Sequence, residues 1–145
     1  LHVNRLGCIP LLALVATVLA AAPTDAQAPV HNFVLPTFTK EGYRALLLRG
    51  GEARFLGSGR IDIFDMNLTV YKNDASEQID TRLTSPAASF YTDRQYVEGS
   101  QGMHLIRDDV DMRGLRWSYD HRQKKVVIDD DVHVIFRAQL NQILQ

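Results

Sequence analysis

Cysteine is almost absent from this sequence. The single cysteine is Cys8, so the rest of the chain can form neither an intramolecular disulfide nor a metal site built on several thiolates. The fold must therefore be held by its hydrophobic core. A chain of this length can supply one, because it buries about two thirds of its unfolded surface on folding.

An excess of charge of either sign is also missing. The chain has 16 Lys and Arg against 17 Asp and Glu, which gives a formal net charge of −1. Removing residues 1–28 takes away only Arg5 and Asp25 and leaves the balance nearly neutral. A nucleic-acid-binding protein needs a basic face, so we do not expect a nucleic acid among the partners.

The apolar run near the start is short for a membrane span. Residues 9–22 are fourteen uncharged residues, whereas a span needs about 20. The run follows Arg5 and precedes small-residue sites at Ala26 and Ala28, which is the order of a secretory signal. We therefore expect residues 1–28 to be a signal peptide that directs the protein to the periplasm. The alternative is a short N-terminal anchor that tethers it to the inner membrane.

Helical periodicity is nearly absent from Gly42 onward, and alternation of apolar and polar residues takes its place. Ile61 and Ile63 share one face, and Met66 begins a second alternating run after a slip that predicts a bulge near Asp65. Runs of this kind, separated by turn residues at roughly eight- to twelve-residue intervals, indicate an all-β sandwich or barrel.

Turn and breaker residues give the expected limits of the strands. Asn73-Asp74 favours a tight reversal, and Pro86 is expected to end a strand or confine it to a sheet edge. Further reversals are expected at residues 92–94 and 99–102. Three stretches about 30 residues apart also share a weak β-repeat pattern, with Ala53, Ala88 and Trp117 at comparable places.

The stretch "GLRWSYDHRQKKVVIDDDVHVIF", residues 114–136, could be a reactive site or a hairpin. Alternation favours the hairpin, because two sets of apolar residues each share one face across the polar turn. The first set is Leu115, Trp117 and Tyr119, and the second is Val126, Ile128, Val132, Val134 and Phe136.

The acidic and histidine residues of that stretch do not match a known site. Residues 129–131 are three aspartates without the spaced oxygen ligands of a Ca²⁺ loop, so solvated charge and a bulge are the favoured interpretation and metal binding the alternative. His133 is expected on the outward face as an exposed residue, and His121 as an exposed residue in the turn. No nucleophile–base arrangement is present either. We expect no catalytic residue, no metal and no cofactor, and hence no enzyme.

The segments "FTKEGYRALLLRGGEARF", "SPAASF", "YVEGSQGMHLIRDD" and "RGLRWSYDHRQKKVVIDDDVHVIF" together resemble the LptC-type periplasmic proteins of lipopolysaccharide export, which are related to the LptA-type and OstA-like jellyroll domains. The resemblance covers residues 36–136. It implies a single twisted, partly open β-jellyroll of antiparallel strands, found in Gram-negative outer-membrane biogenesis. On this basis residues 29–41 are an extended lead-in, residues 42–137 the jellyroll and residues 138–145 a C-terminal tail.

The resemblance also implies a function without catalysis. The jellyroll would hold the acyl chains of lipopolysaccharide (its lipid A part) and pass the lipid along a bridge between the two membranes. Its partners would be an inner-membrane ABC transporter and the adjacent jellyroll protein, which would pair with the last strand, residues 132–136 (Val132, His133, Val134, Ile135 and Phe136). The inward-facing residues expected to line the groove are Ile61, Ile63, Leu68, Val70, Leu83, Phe90, Leu105, Trp117, Ile128, Val134 and Phe136.

A second hypothesis is a generic periplasmic or surface β-sandwich that binds carbohydrate or protein. Its site would be shallow, with exposed aromatic residues such as Tyr91, Tyr96 and Tyr119. The two hypotheses differ in whether the inward residues form a closed core or an open apolar trough.

Overall fold

The computed structural model describes residues 28–137, which contain strands and turns but no helix. The all-β class predicted from alternation is confirmed. No helix that could cross a membrane occurs among these residues. The expected leader and C-terminal tail lie outside the described range. The strands are β1 (Val30–Phe38), β2 (Arg44–Leu56), β3 (Arg60–Tyr71), β4 (Ile79–Tyr91), β5 (Tyr96–Gly99), β6 (Met103–Arg107), β7 (Val110–Asp120) and β8 (Lys125–Phe136).

All eight strands belong to one antiparallel sheet whose order follows the chain. β1 pairs with β2, β2 with β3, β3 with β4, and β7 with β8. β5 and β6 both lie between β4 and β7 and are antiparallel to each of them. They are therefore two segments of one strand position, so the reversal expected at residues 99–102 is wrong. The chain continues in the same direction there after a short break.

Residues 29–41, expected to be an extended lead-in, are mostly the first strand of the sheet. β1 is paired with β2 over its whole length, from Val30 opposite Ala53 to Phe38 opposite Arg44. Among the described pairings, β1 bonds only to β2 and β8 bonds only to β7. The sheet therefore has two free edges and is a partly open jellyroll.

Kinks lie side by side across the whole sheet. The slip expected in β3 occurs at Asp65, whose φ is +52°, and buried residues resume at Met66. Pro86 lies opposite Asp65, between the aligned pairs Phe64–Ala87 and Met66–Ser85. Its other side faces the break between β5 and β6, where β4 has no paired neighbour. Because no ladder bond is needed there, Pro86 neither ends β4 nor makes it an edge, contrary to the sequence prediction.

The same row continues into the other strands. Asn32 in β1, Arg116 in β7 and Asp131 in β8 also have positive φ, and β2 passes the row at Gly50-Gly51 without ending. We call this row the kink line. Bulges bend a strand and increase its twist, so the bends aligned in β1, β3, β7 and β8, together with the break between β5 and β6, fold the sheet along this line into two halves.

The two halves cover each other. The buried side chains from both halves form one hydrophobic cluster, although the described chain has neither a helix nor a second sheet to cover it. Ile63 on one side of the kink line and Leu48 on the other are 0% and 1% exposed. Such burial requires the folded-over half as its cover, at the spacing of about 10 Å typical of packed sheets.

Small residues make room at the kink line. A Cβ on Gly50 would overlap the side chain of Ile63, and one on Gly114 would overlap Ile128 and lie 3.0 Å from the carbonyl oxygen of Asp130. Gly114 also begins a slip of alternation in β7, completed by Arg116 at φ +47°. The slip turns Leu115 to an exposed position, so the prediction that it shares a face with Trp117 is wrong.

Candidate functional site

Most of the residues predicted to line a lipid groove form a closed core. Each of the first eight is no more than 4% exposed, and all belong to the one hydrophobic cluster. They are Ile61, Ile63, Leu68, Val70, Leu83, Phe90, Leu105 and Trp117. The interior is thus packed through the middle strands, and an apolar ligand could enter only by displacing or extending this core.

The remaining predicted residues lie on β8, at one end of the interior. Ile128 pairs with Trp117 and packs against the core. Beyond the kink, Val134 pairs with Met112, which also packs against the core. Directly paired side chains project from the same face of a sheet, so Val134 continues the inward face. It is nevertheless 40% exposed, and Phe136 is 75% exposed.

This inward-facing but uncovered end is the candidate site, and we call it the open end. On β7 it includes the partly buried Met112, paired with Val134, whereas Val110, paired with Phe136, is 2% exposed and belongs to the core beside it. Neither was singled out from the sequence, because alternation counted back from Trp117 assigns them the opposite face. The slip at Gly114 could have been suspected from the glycine alone, since a glycine within a strand often marks a bulge.

The free edge of β8 lies beside the open end. The backbone N–H of Arg137 donates to the carbonyl oxygen of Asp109 over 2.8 Å, and paired residues in an antiparallel ladder alternate between bonded and non-bonded pairs. Counting back along the aligned register, Ile135 is bonded to β7, whereas Val134 and Phe136 are not. The N–H and C=O groups of these two residues therefore point to the free edge. The five predicted edge residues, Val132 to Phe136, are all exposed.

The opposite edge, β1, is better protected. Phe33 is buried and packs edge-to-face on Phe55, with ring centroids 5.6 Å apart. Pro36 in the same strand has no N–H and cannot donate to an added strand, and proline on an edge strand is a common defence against such pairing. β8 contains no proline.

The acidic stretch behaves as predicted, with one aspartate in a bulge. Asp131 has φ +48° where the β7–β8 register shifts, and residues 129–131 are all exposed. His133 is exposed and lies 3.1 Å from Asp131, measured from Nε2 to Oδ1. Within residues 28–137 no three His, Cys, Asp or Glu side chains are grouped so as to hold a metal ion.

His121 is in the predicted turn, but the expectation that it is exposed is wrong. It is only 7% exposed, and Tyr119, also expected to be exposed under the second hypothesis, is buried beside it. The Tyr119 hydroxyl and the Lys124 amine each lie 3.1 Å from His121 Nδ1. Burial, and then the charge of Lys124, lower the pKa of His121 to about 4. Burial raises the pKa of Tyr119 to about 12, so His121 and Tyr119 are both uncharged near pH 7 and lie beside the Lys124 amine.

Comparison with known proteins adds no functional assignment, because no protein-family model and no curated protein matches this sequence.

Proposed function

We propose that this protein is a non-enzymatic lipid-binding and transfer component of a lipopolysaccharide export bridge. In this role the jellyroll interior accepts acyl chains at the open end, and β8 pairs with the next jellyroll of the bridge. The observation that carries the proposal is the inward row of apolar side chains that runs from the closed core to the exposed residues Val134 and Phe136.

The geometry of the open end favours an acyl chain as the ligand. Val134 and Phe136 on β8, with the partly buried Met112 on β7, offer an apolar surface. Arg107 on β6, which is paired with Val110, is the charged group at its border. Burying such a surface stabilises a complex by about 25 cal/mol for each Å² removed from water. Transport energy would come from the ABC transporter, so the jellyroll needs only to bind and release the lipid.

A neighbouring jellyroll is favoured as the partner by the position of the free edge. The outward N–H and C=O groups of Val134 and Phe136 can bond an added strand. That strand would extend the sheet past the open end, and its inward side chains would continue the same apolar face. One contact would thus cover the exposed residues and prolong the path for the lipid.

Site-specific photo-crosslinking tests the lipid part of the proposal. Crosslinkers at Val134 and Phe136 should capture lipopolysaccharide, since both positions face the open end. Crosslinkers at Arg113 and His133, which are paired neighbours on the opposite face, serve as matched controls and should capture little. Equal labelling at all four positions would contradict the proposal.

A proline substitution tests the edge. Val134→Pro removes an N–H that points to the free edge and leaves the β7–β8 ladder bonds in place. The other bridge proteins should therefore no longer co-purify with the tagged variant, while its circular dichroism spectrum and melting curve stay close to those of the wild type. Val134→Ala, which keeps the N–H, should retain the partner. Ile135→Pro removes a ladder donor and should destabilise the fold. A folded Val134→Pro protein that still recovers the bridge would exclude pairing through β8.

A further inference from the structure

A polar row crosses the outer face of the sheet on the side of the kink line that contains the β7–β8 turn. Asp62 in β3 pairs with Ser89 in β4, Ser89 with Glu98 in β5, and Glu98 with Ser118 in β7. Their side chains therefore project from one face as neighbours, and carboxylates alternate with hydroxyls along the row. The inward neighbours of the same strands are core residues, so this face is independent of the interior.

A cleft follows the row where β5 gives way to β6. It encloses about 420 Å³ and its wall includes Ser89, Tyr96, Glu98 and Arg116. A second cleft of about 200 Å³ shares Ser89 and Glu98 with it and extends to Asp62. The depression lies where the ladder is interrupted after Gly99. A side chain would not fit at Gly99, because its Cβ would lie 2.8 Å from the Trp117 ring nitrogen. We call the two joined clefts the outer trough.

The carboxylates of the outer trough are held in place before any ligand binds. Arg60 donates to both oxygens of Asp62 over 2.8 and 3.2 Å, and the Ser89 hydroxyl donates to Asp62 over 2.7 Å. The Tyr91 hydroxyl donates to Glu98 over 2.9 Å. Each carboxylate has about four acceptor positions, so both can still accept hydrogen bonds from a ligand without moving.

An aromatic wall borders the trough. The rings of Tyr91 and Tyr96 have centroids 6.1 Å apart, and the Arg94 guanidinium lies 4.4 Å from the first and 5.4 Å from the second. Tyr96 also lines the cleft. The arginine restrains both rings, so the Tyr96 side chain is held at the wall of the cleft, next to fixed hydrogen-bond acceptors, at little entropic cost.

We propose that the outer trough binds a neutral glycan of pyranose units. Adjacent sugar hydroxyls suit the fixed carboxylates and the serine hydroxyls, and the C–H face of a pyranose suits the tyrosine wall. The strands that present the row are about 4.8 Å apart, close to the length of one pyranose unit, so consecutive units can meet consecutive strands. A polycation is less well matched, because Arg60, Arg94 and Arg116 lie among the carboxylates. The proposal does not depend on lipid transfer.

The test is an NMR titration of the folded protein with maltohexaose and with chitohexaose, followed through the amides of Gly99, Ser100 and Ser118. At least one of the two oligosaccharides should shift these amides in a saturable way at millimolar concentration, with little dependence on salt. Tyr96→Ala should weaken binding about tenfold, equivalent to 1.4 kcal/mol. Glu98→Gln, which keeps the shape of the side chain, should weaken it several-fold.

Tyr43→Ala is the matched control, since Tyr43 is an exposed tyrosine in the β1–β2 connection and should leave binding unchanged. Circular dichroism confirms that each variant is folded. Absence of saturable shifts with both oligosaccharides would overturn the proposal. So would equal weakening by Tyr43→Ala and Tyr96→Ala. Saturation of the same amides by hexalysine alone, reversed by salt, would show a cation site and would also overturn it.

Discussion

The two ends of the β7–β8 hairpin share one ladder and one kind of sequence but differ in what covers them. On β7 the inward side chains are buried at both ends, with Trp117 and Tyr119 at the turn end and Val110 at the other. On β8, Val126 and Ile128 at the turn end pack against the core, whereas Val134 and Phe136 at the other end continue the inward face and are exposed. Strand propensity is high at both ends, so it does not account for the difference. What distinguishes them is whether the other half of the folded sheet lies opposite.

The comparison shows that an inward-facing residue of this fold is buried only where the other half of the sheet lies opposite it. Middle strands are covered by the folded-over half, whereas β8, at the edge, has a neighbour on one side only. A residue can therefore face inward and still remain in contact with solvent. This combination is what makes the open end a candidate for binding and the middle of the interior a source of stability.

Truncation of the large apolar side chains should show the largest contrast. Trp117→Ala should lower the free energy of unfolding by about 3–5 kcal/mol, because it empties a packed site. Phe136→Ala at the open end should change it by less than about 0.5 kcal/mol, as at other exposed sites. Urea denaturation of both variants measures the difference. Similar losses would mean that the open end is covered in solution.

Acid should separate the two histidines of the hairpin. The folded protein lowers the pKa of His121 from 6.5 to about 4, so protonation favours the unfolded chain. Stability from this group is complete above pH 6.5 and is lost as the pH falls from 6.5 towards 4, by up to about 3 kcal/mol.

Denaturation curves between pH 7 and pH 4 test this contrast in His121→Gln and His133→Gln. The first substitution should flatten the pH dependence in that window, and the second should leave it as in the wild type. If both variants follow the wild-type curve, His121 is not the group that responds to acid.

The kink between the two ends should tolerate little added volume. Gly114→Ala should destabilise the protein by about 1–3 kcal/mol, because its Cβ would overlap Ile128. Gly102→Ala is a suitable control, since its nearest neighbour, a Leu115 methyl group, would be 3.8 Å away, and should have a smaller effect. Thermal melts of the pair measure the contrast, and equal shifts would argue against close packing at Gly114.

Several features were predictable because they depend on local periodicity. Alternation identified most of the strands after β1, the hairpin at residues 114–136 and the slip near Asp65, and the aspartate run marked a bulge. The errors arose where a neighbouring strand decides the outcome. Pro86 is tolerated in a central strand only because the break between β5 and β6 leaves its other side unpaired. Residues 99–102 look like a turn, but both segments bond the same two neighbours.

The sequence by itself determined the all-β class and, in most strands, which side chains face inward. Both follow from local pattern, because the side chains of a strand alternate with a period of two wherever no residue is inserted. Only the tertiary structure decided which inward residues are buried, since burial requires a second surface opposite and that surface comes from a distant part of the same sheet. Ile63 and Val134 have similar side chains on the same inward face. One is covered by the folded-over half and the other lies at an edge, which no local pattern could reveal.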